Sequence, residues 1–340
     1  MDSYRRGGKI MIGRTKNNER ISIDSEESYN NSILISGKSG TGKSTFLQRY
    51  IESKDMESGI IIIPDFTGDW KNRIQKQANI VNCRKAGLPV QVFKRQRIDD
   101  DLETDYELAA RITSIFSVVL RLGRLQSTLL QEAIQSEIER SDVISWSGVL
   151  EYLESKAKTE NLRLKIQWIA ESGIFQNMNS DMRLSGINIF DLSRLSMEIQ
   201  NICMEFFLWW LFDYVLTRTE KTPIIIVLDE FQRMNFKEDS PLFRLLTEGR
   251  KYGVELLLAT QTVSVFKKEQ KVILEQVGTR LYFQPSESEI SAIVKQFPAS
   301  IQKIAKKRLQ QLPIGHALAV GKFKVNGQAR ISNNPIEIII

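Results

Sequence analysis

The chain has 340 residues, 42% hydrophobic and 26% charged, the composition of an ordinary globular protein with material for two domains or one large one. A net charge of +6 and a pI near 9.1 permit a polyanionic partner without requiring one. Two distant cysteines, Cys83 and Cys203, with no CxxC and no histidine nearby, argue against a disulfide framework or a zinc site and fit a reduced, cytoplasmic setting.

The N-terminal residues Met1 to Arg6 are not followed by the apolar run of a signal peptide. The most apolar segment, Ile202 to Val215, contains Glu205 and Asp213 and is too short to span a bilayer, so no membrane segment is expected. No internal repeat or low-complexity tract stands out.

Taken in chain order, Lys9 to Ile23 alternates apolar and polar residues around Gly13 and Asn17-Asn18, which predicts a small hairpin of ordinary edge structure. Ile33 to Ile35 then reads as a buried strand leading into Gly37 and Gly42-Lys43-Ser44 at P-loop spacing. The chemistry explains these residue types. Gly37, Gly40 and Gly42 let the backbone turn so that successive N–H groups face phosphate oxygens. Lys43 supplies positive charge to the β- and γ-phosphates, Ser44 offers a hydroxyl to Mg²⁺, and Thr45 to Tyr50 begins a helix whose N-terminal dipole faces the same anions. Gly37 with Ser39, Gly40, Thr41, Gly42, Lys43, Ser44 and Thr45 is therefore the candidate site for ATP and Mg²⁺. The bland alternative, a chance loop of glycine, serine and lysine, loses ground to the strand before it and the helix after it.

Gly59 to Asp65 is a continuous apolar run stopped by Pro64, as expected of a parallel strand covered on both faces, and Asp65 to Trp70 follows at its C-terminal end. Pro89 to Phe93 offers a further short strand. From Tyr106 to about Lys158, and on through Leu162, Ile166 and Ile169, apolar residues recur at helical steps, which reads as a helical insertion between strands. Gly186 to Leu192 returns to strand, and Met197 to Leu216 is a long amphipathic helix. Its stripe of Phe206, Phe207, Trp209, Trp210 and Phe212 reads as a packing face.

Ile224 to Glu230 is an apolar strand ending in two acids. Downstream of a P-loop, Asp229 can hold the Mg²⁺ shell and Glu230 can polarise the attacking water. Arg244 to Gly253 ends a helix before the strand Val254 to Ala259, which stops at Thr260-Gln261, where a γ-phosphate sensor would sit. Arg280 to Gln284, a helix over Glu287 to Phe297, a basic helix Ile301 to Leu312 and strands around His316 to Val320 and Ala329 to Ile331 close the chain. The alternation predicts an α/β fold with a mainly parallel sheet. It divides into a short β segment over 1–30, a first core part over 31–104, a helical insertion over 105–185 and a second core part over 186–340.

Several motifs in this order resemble the HerA/FtsK superfamily: Ile12-Gly13-Arg14, the P-loop, Pro64 to Trp70, Ile189 to Ser193, Leu228-Asp229-Glu230, Glu248 to Gly253, Ala259-Thr260-Gln261 and Leu312 to Ala317. The match runs over nearly the whole chain and is nearest to HerA and the ATPases of conjugation and secretion systems. The resemblance implies a RecA-like motor, usually a hexameric ring, that hydrolyses ATP while moving double-stranded DNA through its channel. It carries phosphate and metal contacts to Lys43 and Ser44, metal and water to Asp229 and Glu230, the sensor role to Gln261, and an arginine finger to Arg250, with Arg280 as the substitute. Residues 1–30 are too few for the N-terminal β-barrel common among HerA proteins, and the membrane helices of coupling proteins are not expected.

A loose phosphoryl-transfer transition state gains most from positive charge around it, which suits Arg250 to a neighbour's site; the alternative is a local pair with Glu248. Lys267-Lys268-Lys271 and Lys303-Lys306-Lys307-Arg308 are either solvated helix faces or phosphate contacts. Two function classes follow: a ring-shaped DNA translocase, or a nucleotide-gated assembly subunit that controls a partner nuclease or other effector without sustained translocation.

Overall fold

The computed structural model describes residues 10–23, 30–54, 59–91, 93–98, 101–140, 144–175, 182–219, 222–238 and 240–340. Lys9 and the N-terminal residues 1–6, on which the hairpin and signal-peptide readings touched, lie outside them.

The chain opens with the hairpin β1 (Ile10–Arg14) and β2 (Arg20–Ile23), followed by the P-loop strand β3 (Ile33–Ser36) and helix α1 (Lys43–Ser53). Next come β4 (Ile60–Asp65), the one-turn α2 (Trp70–Arg73), β5 (Ala78–Asn82), α3 (Cys83–Ala86) and the short pair β6 (Arg97–Ile98) and β7 (Asp101–Leu102). Four helices follow in succession: α4 (Asp105–Leu120), α5 (Arg124–Arg140), α6 (Trp146–Glu154) and α7 (Glu160–Glu171). The chain then returns to the sheet through β8 (Gly186–Asp191), α8 (Met197–Thr217), β9 (Ile224–Leu228), α9 (Pro241–Glu248), β10 (Val254–Thr260), α10 (Lys268–Leu274) and β11 (Thr279–Phe283). Helices α11 (Glu287–Val294) and α12 (Gln302–Gln311) precede the long antiparallel pair β12 (His316–Val325) and β13 (Gln328–Ile339).

Among the described residues, eleven strands join in one sheet in the order β13-β1-β2-β12-β11-β3-β10-β9-β4-β8-β5. From β5 to β11 every neighbour is parallel. The four remaining strands are antiparallel, and because β13 pairs with both β1 and β12 they close on themselves. This closure turns tightly at Gly321. A Cβ there would lie 2.2 Å from the Gly278 carbonyl oxygen, and its φ of +113° suits glycine alone.

The central parallel strands β3, β4, β9 and β10 are mostly apolar and buried at every position, because both faces of the sheet are covered there. Along β4, Ile60 and Ile62 pack with α8 and the α4–α7 helices, while Ile61 and Ile63 pack with Phe46, Leu47 and Ile51 of α1. Full burial of each such side chain stabilises by about 1.5–3 kcal/mol. Helix α8 is less one-sided than its sequence suggests. Phe206, Phe207 and Phe212 are buried, but so are Glu205 and Gln200, and Trp209 and Trp210 are half-buried.

One strand expectation needs correction, and one strand is not foreseen by the sequence reading. Of Pro89 to Phe93, the described residues 89–91 and 93 do not pair in the sheet, and Val92 lies outside the described residues: Leu88 and Val90 are buried as irregular chain, with the Leu88 N–H donated to the Ile174 carbonyl at 2.6 Å. The unforeseen strand is Ala78–Asn82, parallel to β8 at the sheet edge.

Candidate active site

Strands β3, β4, β8, β9 and β10 run parallel, so their C-terminal ends share one edge, where open α/β sheets bind ligands. The P-loop leaves β3 there, tied to both neighbours. The Gly37 N–H reaches the Thr260 carbonyl at 3.3 Å and the Lys38 N–H reaches the Gln284 carbonyl at 2.9 Å. Glycine is needed at Gly37, whose φ is +154° and whose Cβ would lie 2.6 Å from that of Phe283. Thr41 donates its hydroxyl to the Lys38 carbonyl at 2.8 Å and its carbonyl accepts the Gly315 N–H at 3.0 Å, so the segment after α12 rests on the loop.

Lys43 is buried, and its ammonium donates to the carbonyls of Gly37 at 2.8 Å and Lys38 at 3.0 Å, folding back inside the loop. Burial lowers its pKa, with the nearby charges of Asp229 and Glu230 opposing the shift. Ser44 is half-buried and Thr45 exposed on the first turn of α1, and Ser39 and Gly40 are exposed on the rim.

Helix α1 begins without a side-chain cap, as do α2 and α12. Thr104, Ser145, Ser196 and Ser240 cap α4, α6, α8 and α9 with their side chains, whereas α1 starts after Gly42 with no side-chain cap and no acid in its first turn. Its first N–H groups and dipole are left for an anion. A nucleotide phosphate fits this donor set, and the Ser44 hydroxyl together with the Asp229 carboxylate, which follows β9 and lies near Lys43, is a donor set that fits Mg²⁺.

The acids follow β9. Burial, and then the charge of Glu230, raise the Asp229 carboxyl to about 6, while Lys43 pulls it down. The Asp229 carboxylate accepts the Glu230 N–H at 3.1 Å. Glu230 occupies the left-handed region at φ +59°, and both its oxygens are held: Gln261 donates to Oε1 and Gln232 to Oε2. The structure thus gathers Lys43, Asp229, Glu230 and Gln261 at one point.

Sequence reasoning missed Gln232. Its own carbonyl oxygen is buried without a partner, which marks a side chain positioned by Glu230 and not by the fold around it. Spacing gives no sign of it, since it faces Glu230 only through the backbone turn between them. Also missed was the network behind the acids. Gln200 of α8 donates to the carbonyls of Phe66 and Leu192, at 3.4 and 3.0 Å, and accepts from Arg233 at 2.7 Å. The Arg233 guanidinium stacks 4.4 Å from the Phe66 ring. Asp65 fixes the loop after β4 by accepting the N–H groups of Thr67, Gly68 and Trp70 at 2.8 to 3.1 Å.

Arg250 is not part of this cluster. It is exposed in the turn before Val254, which starts β10, so it sits at the opposite edge of the sheet from the chain's own P-loop. Arg280 lies one residue into β11 and is likewise near that far edge, with its Nε buried without a partner. Neither guanidinium is placed at its own chain's P-loop.

A β-strand, glycine loop and helix facing an acidic strand end, with a polar side chain on the intervening strand, define a RecA-like P-loop ATPase. The family described as helicase HerA, central domain, matches residues 10–209, more than half the chain, and the chain belongs to that family of ATPases. No curated protein matches it. Among solved structures it is similar to VirB4 of Thermoanaerobacter pseudethanolicus, with 15% identity over 99% of this chain and 97% of that one and a TM-score of 0.75. It is also similar to the bacterial conjugative coupling protein TrwB, with 13% identity, 99% and 89% coverage and a TM-score of 0.63. TrwB in complex with ADP and Mg²⁺ aligns at 14% identity, 98% and 94% coverage and a TM-score of 0.57. At these identities the likeness is one of fold. Among the described residues, no helix is long and apolar enough to cross a membrane.

Proposed function

We propose that this chain is an ATP-driven motor that moves double-stranded DNA as a ring of identical subunits, six by the family's habit. Lys43, the P-loop N–H groups and the uncapped start of α1 would bind the phosphates of ATP, and Ser44 and Asp229 would hold Mg²⁺. When bound, the metal screens charge between the phosphates. Glu230 orients the attacking water and takes its proton, and Gln261, hydrogen-bonded to Glu230, senses the terminal phosphate from the next strand. Arg250 would complete the site of an adjacent subunit. The core is divided as the sequence reading has it, with 105–185 an insertion and 31–104 and 186–340 the motor.

The observation that carries this reading is the Glu230 clamp: a carboxylate held by two amides beside a buried lysine and a half-buried aspartate suits hydrolysis better than passive nucleotide binding. The test is the ATPase rate with and without double-stranded DNA, for the native chain and Glu230→Gln, with particle mass measured on the same samples. A DNA-stimulated rate in a hexamer-sized particle, abolished by the substitution, supports the motor. A rate indifferent to DNA but raised by a partner nuclease or other effector replaces it with the nucleotide-gated switch.

A further inference from the structure

A cleft of about 1050 Å³ lies between α4 and α8 and is also lined by Asn235, Ser240, Arg244, Glu248 and Tyr252. Nothing in ATP binding uses it. Its walls are two helical stripes. Tyr106, Ala110, Ser114 and Val118 recur at four-residue steps along α4, and Trp209, Phe212 and Leu216 recur along α8. From Tyr106 to Val118 the α4 stripe runs twelve steps of the helix, about 18 Å at roughly 1.5 Å per step. The groove floor is apolar and partly uncovered, with Tyr106 61% exposed.

Its rim is acidic. Glu103 and Arg111 neutralise one another as a buried pair at 2.7 Å, which leaves Glu107, Asp213, Glu238 and Glu248 facing the groove against Lys237 and Arg244. Glu205 lies deeper, its carboxyl pushed up to about 7 by burial. An acidic rim disfavours nucleic acid and favours a short cationic helix with an apolar residue on its outer face.

The chain itself offers one. In α12, Ala305 and Leu309 are buried inward, while Lys303, Lys306, Lys307 and Arg308 are exposed around Ile304, itself 55% exposed. At ten residues α12 is about 15 Å long, a length the groove accommodates. Its position fits as well. The segment after α12 rests on the P-loop through the bond from Gly315 to Thr41, and the groove's lining includes Glu248 and Tyr252, which flank Arg250 in the chain. A contact that seats α12 of one subunit in the groove of the next therefore brings the P-loop edge of the first toward Arg250 of the second.

We propose that the α4–α8 groove receives helix α12 of a second copy of this chain, forming the head-to-tail contact of the ring. The contact is heterologous, joining two different surfaces, as ring closure requires. It rests on the ring reading of the preceding section and adds which surfaces make it. It also removes the α12 cluster from the DNA-facing surface.

Charge reversal tests it. Lys303→Glu with Lys307→Glu makes α12 acidic, and Glu238→Lys with Glu248→Lys makes the groove basic. Each pair of changes, measured alone by sedimentation velocity in the presence of a non-hydrolysable ATP analogue, is expected to weaken association at least about tenfold, and all four together to recover it. As an independent readout, Leu216→Cys with Ile304→Cys is expected to give oxidised ladders of linked subunits, with Cys83 and Cys203 buried and inert. Assembly indifferent to both reversals, or weakened by each but not recovered by the four together, overturns the groove contact and leaves the ring standing. A native chain that stays monomeric with nucleotide at all concentrations overturns both. Loss of DNA binding from the α12 reversal with assembly intact assigns the cluster to phosphate contact and overturns the proposal.

Discussion

The two edges of the parallel sheet are built on opposite plans. At the C-terminal edge the polar groups are buried or half-buried and hold one another: Lys43 to the loop carbonyls, Glu230 to Gln261 and Gln232, Asp65 to three backbone N–H groups. At the opposite edge Arg250 and Lys251 are exposed in a turn. The first edge is prepared within one chain and the second points outward. Electrostatic catalysis gains from donors fixed in advance, and the proposed shared site uses this difference, with one chain supplying the P-loop edge and Arg250 of another approaching it.

The sharpest way to break this comparison is Arg250→Ala. In the assembled protein it is expected to lower ATP turnover about 10³-fold with nucleotide affinity little changed, checked by steady-state rates beside equilibrium binding. Unchanged turnover would make the far edge an ordinary surface. Glu230→Gln acts on the prepared edge, and a loss of at least about 10²-fold in turnover with retained ATP binding is expected there. Loss of binding instead would mean that Glu230 shapes the pocket and does not serve the chemistry.

The smallest effect concerns a buried acid away from both edges. Glu205 accepts the Asn235 N–H at 2.9 Å, and burial raises its carboxyl to about 7. Because the folded value lies above the unfolded one, near 4.5, the native state binds the extra proton between those values. Stability therefore falls as pH rises from about 4.5 to 7, and the full penalty is present above 7. Glu205→Gln keeps an acceptor for Asn235 and removes the titration. It is expected to be more stable than the native chain at pH 8 by about 1–3 kcal/mol, and to lose that advantage near pH 4.5, in denaturant titrations at both pH values. A constant difference across that range would mean that folding does not raise the Glu205 carboxyl.

The same contrast explains what the sequence discloses. Strands β3, β4, β9 and β10 are legible because burial on both faces demands uninterrupted β-branched or leucine runs, and the glycine spacing of the P-loop is set by backbone geometry. The edge strand β5 is not, since Asn79, Asn82 and a half-exposed Ile80 give neither a run nor an alternation. Pro89 to Phe93 misleads for the reverse reason: Leu88 and Val90 fill the core without joining a ladder. The closure of β1 on β13 pairs Arg14 with Ile339, and no local pattern encodes a contact that distant. Within the site, strand ends are readable but the grip of Gln232 on Glu230 is not, because it depends on a left-handed backbone turn at Glu230 itself.

The central claim, that each site is completed by a neighbour, is tested most directly by mixing two inactive variants. Lys43→Ala lacks the phosphate-binding lysine but keeps Arg250, and Arg250→Ala keeps the P-loop. Each alone is expected to have little ATPase activity. Randomly mixed in equal amounts, they place an intact P-loop against an intact Arg250 at about one contact in four, which should restore roughly a quarter of the native rate. A mixture no more active than its components would contradict a site shared between subunits.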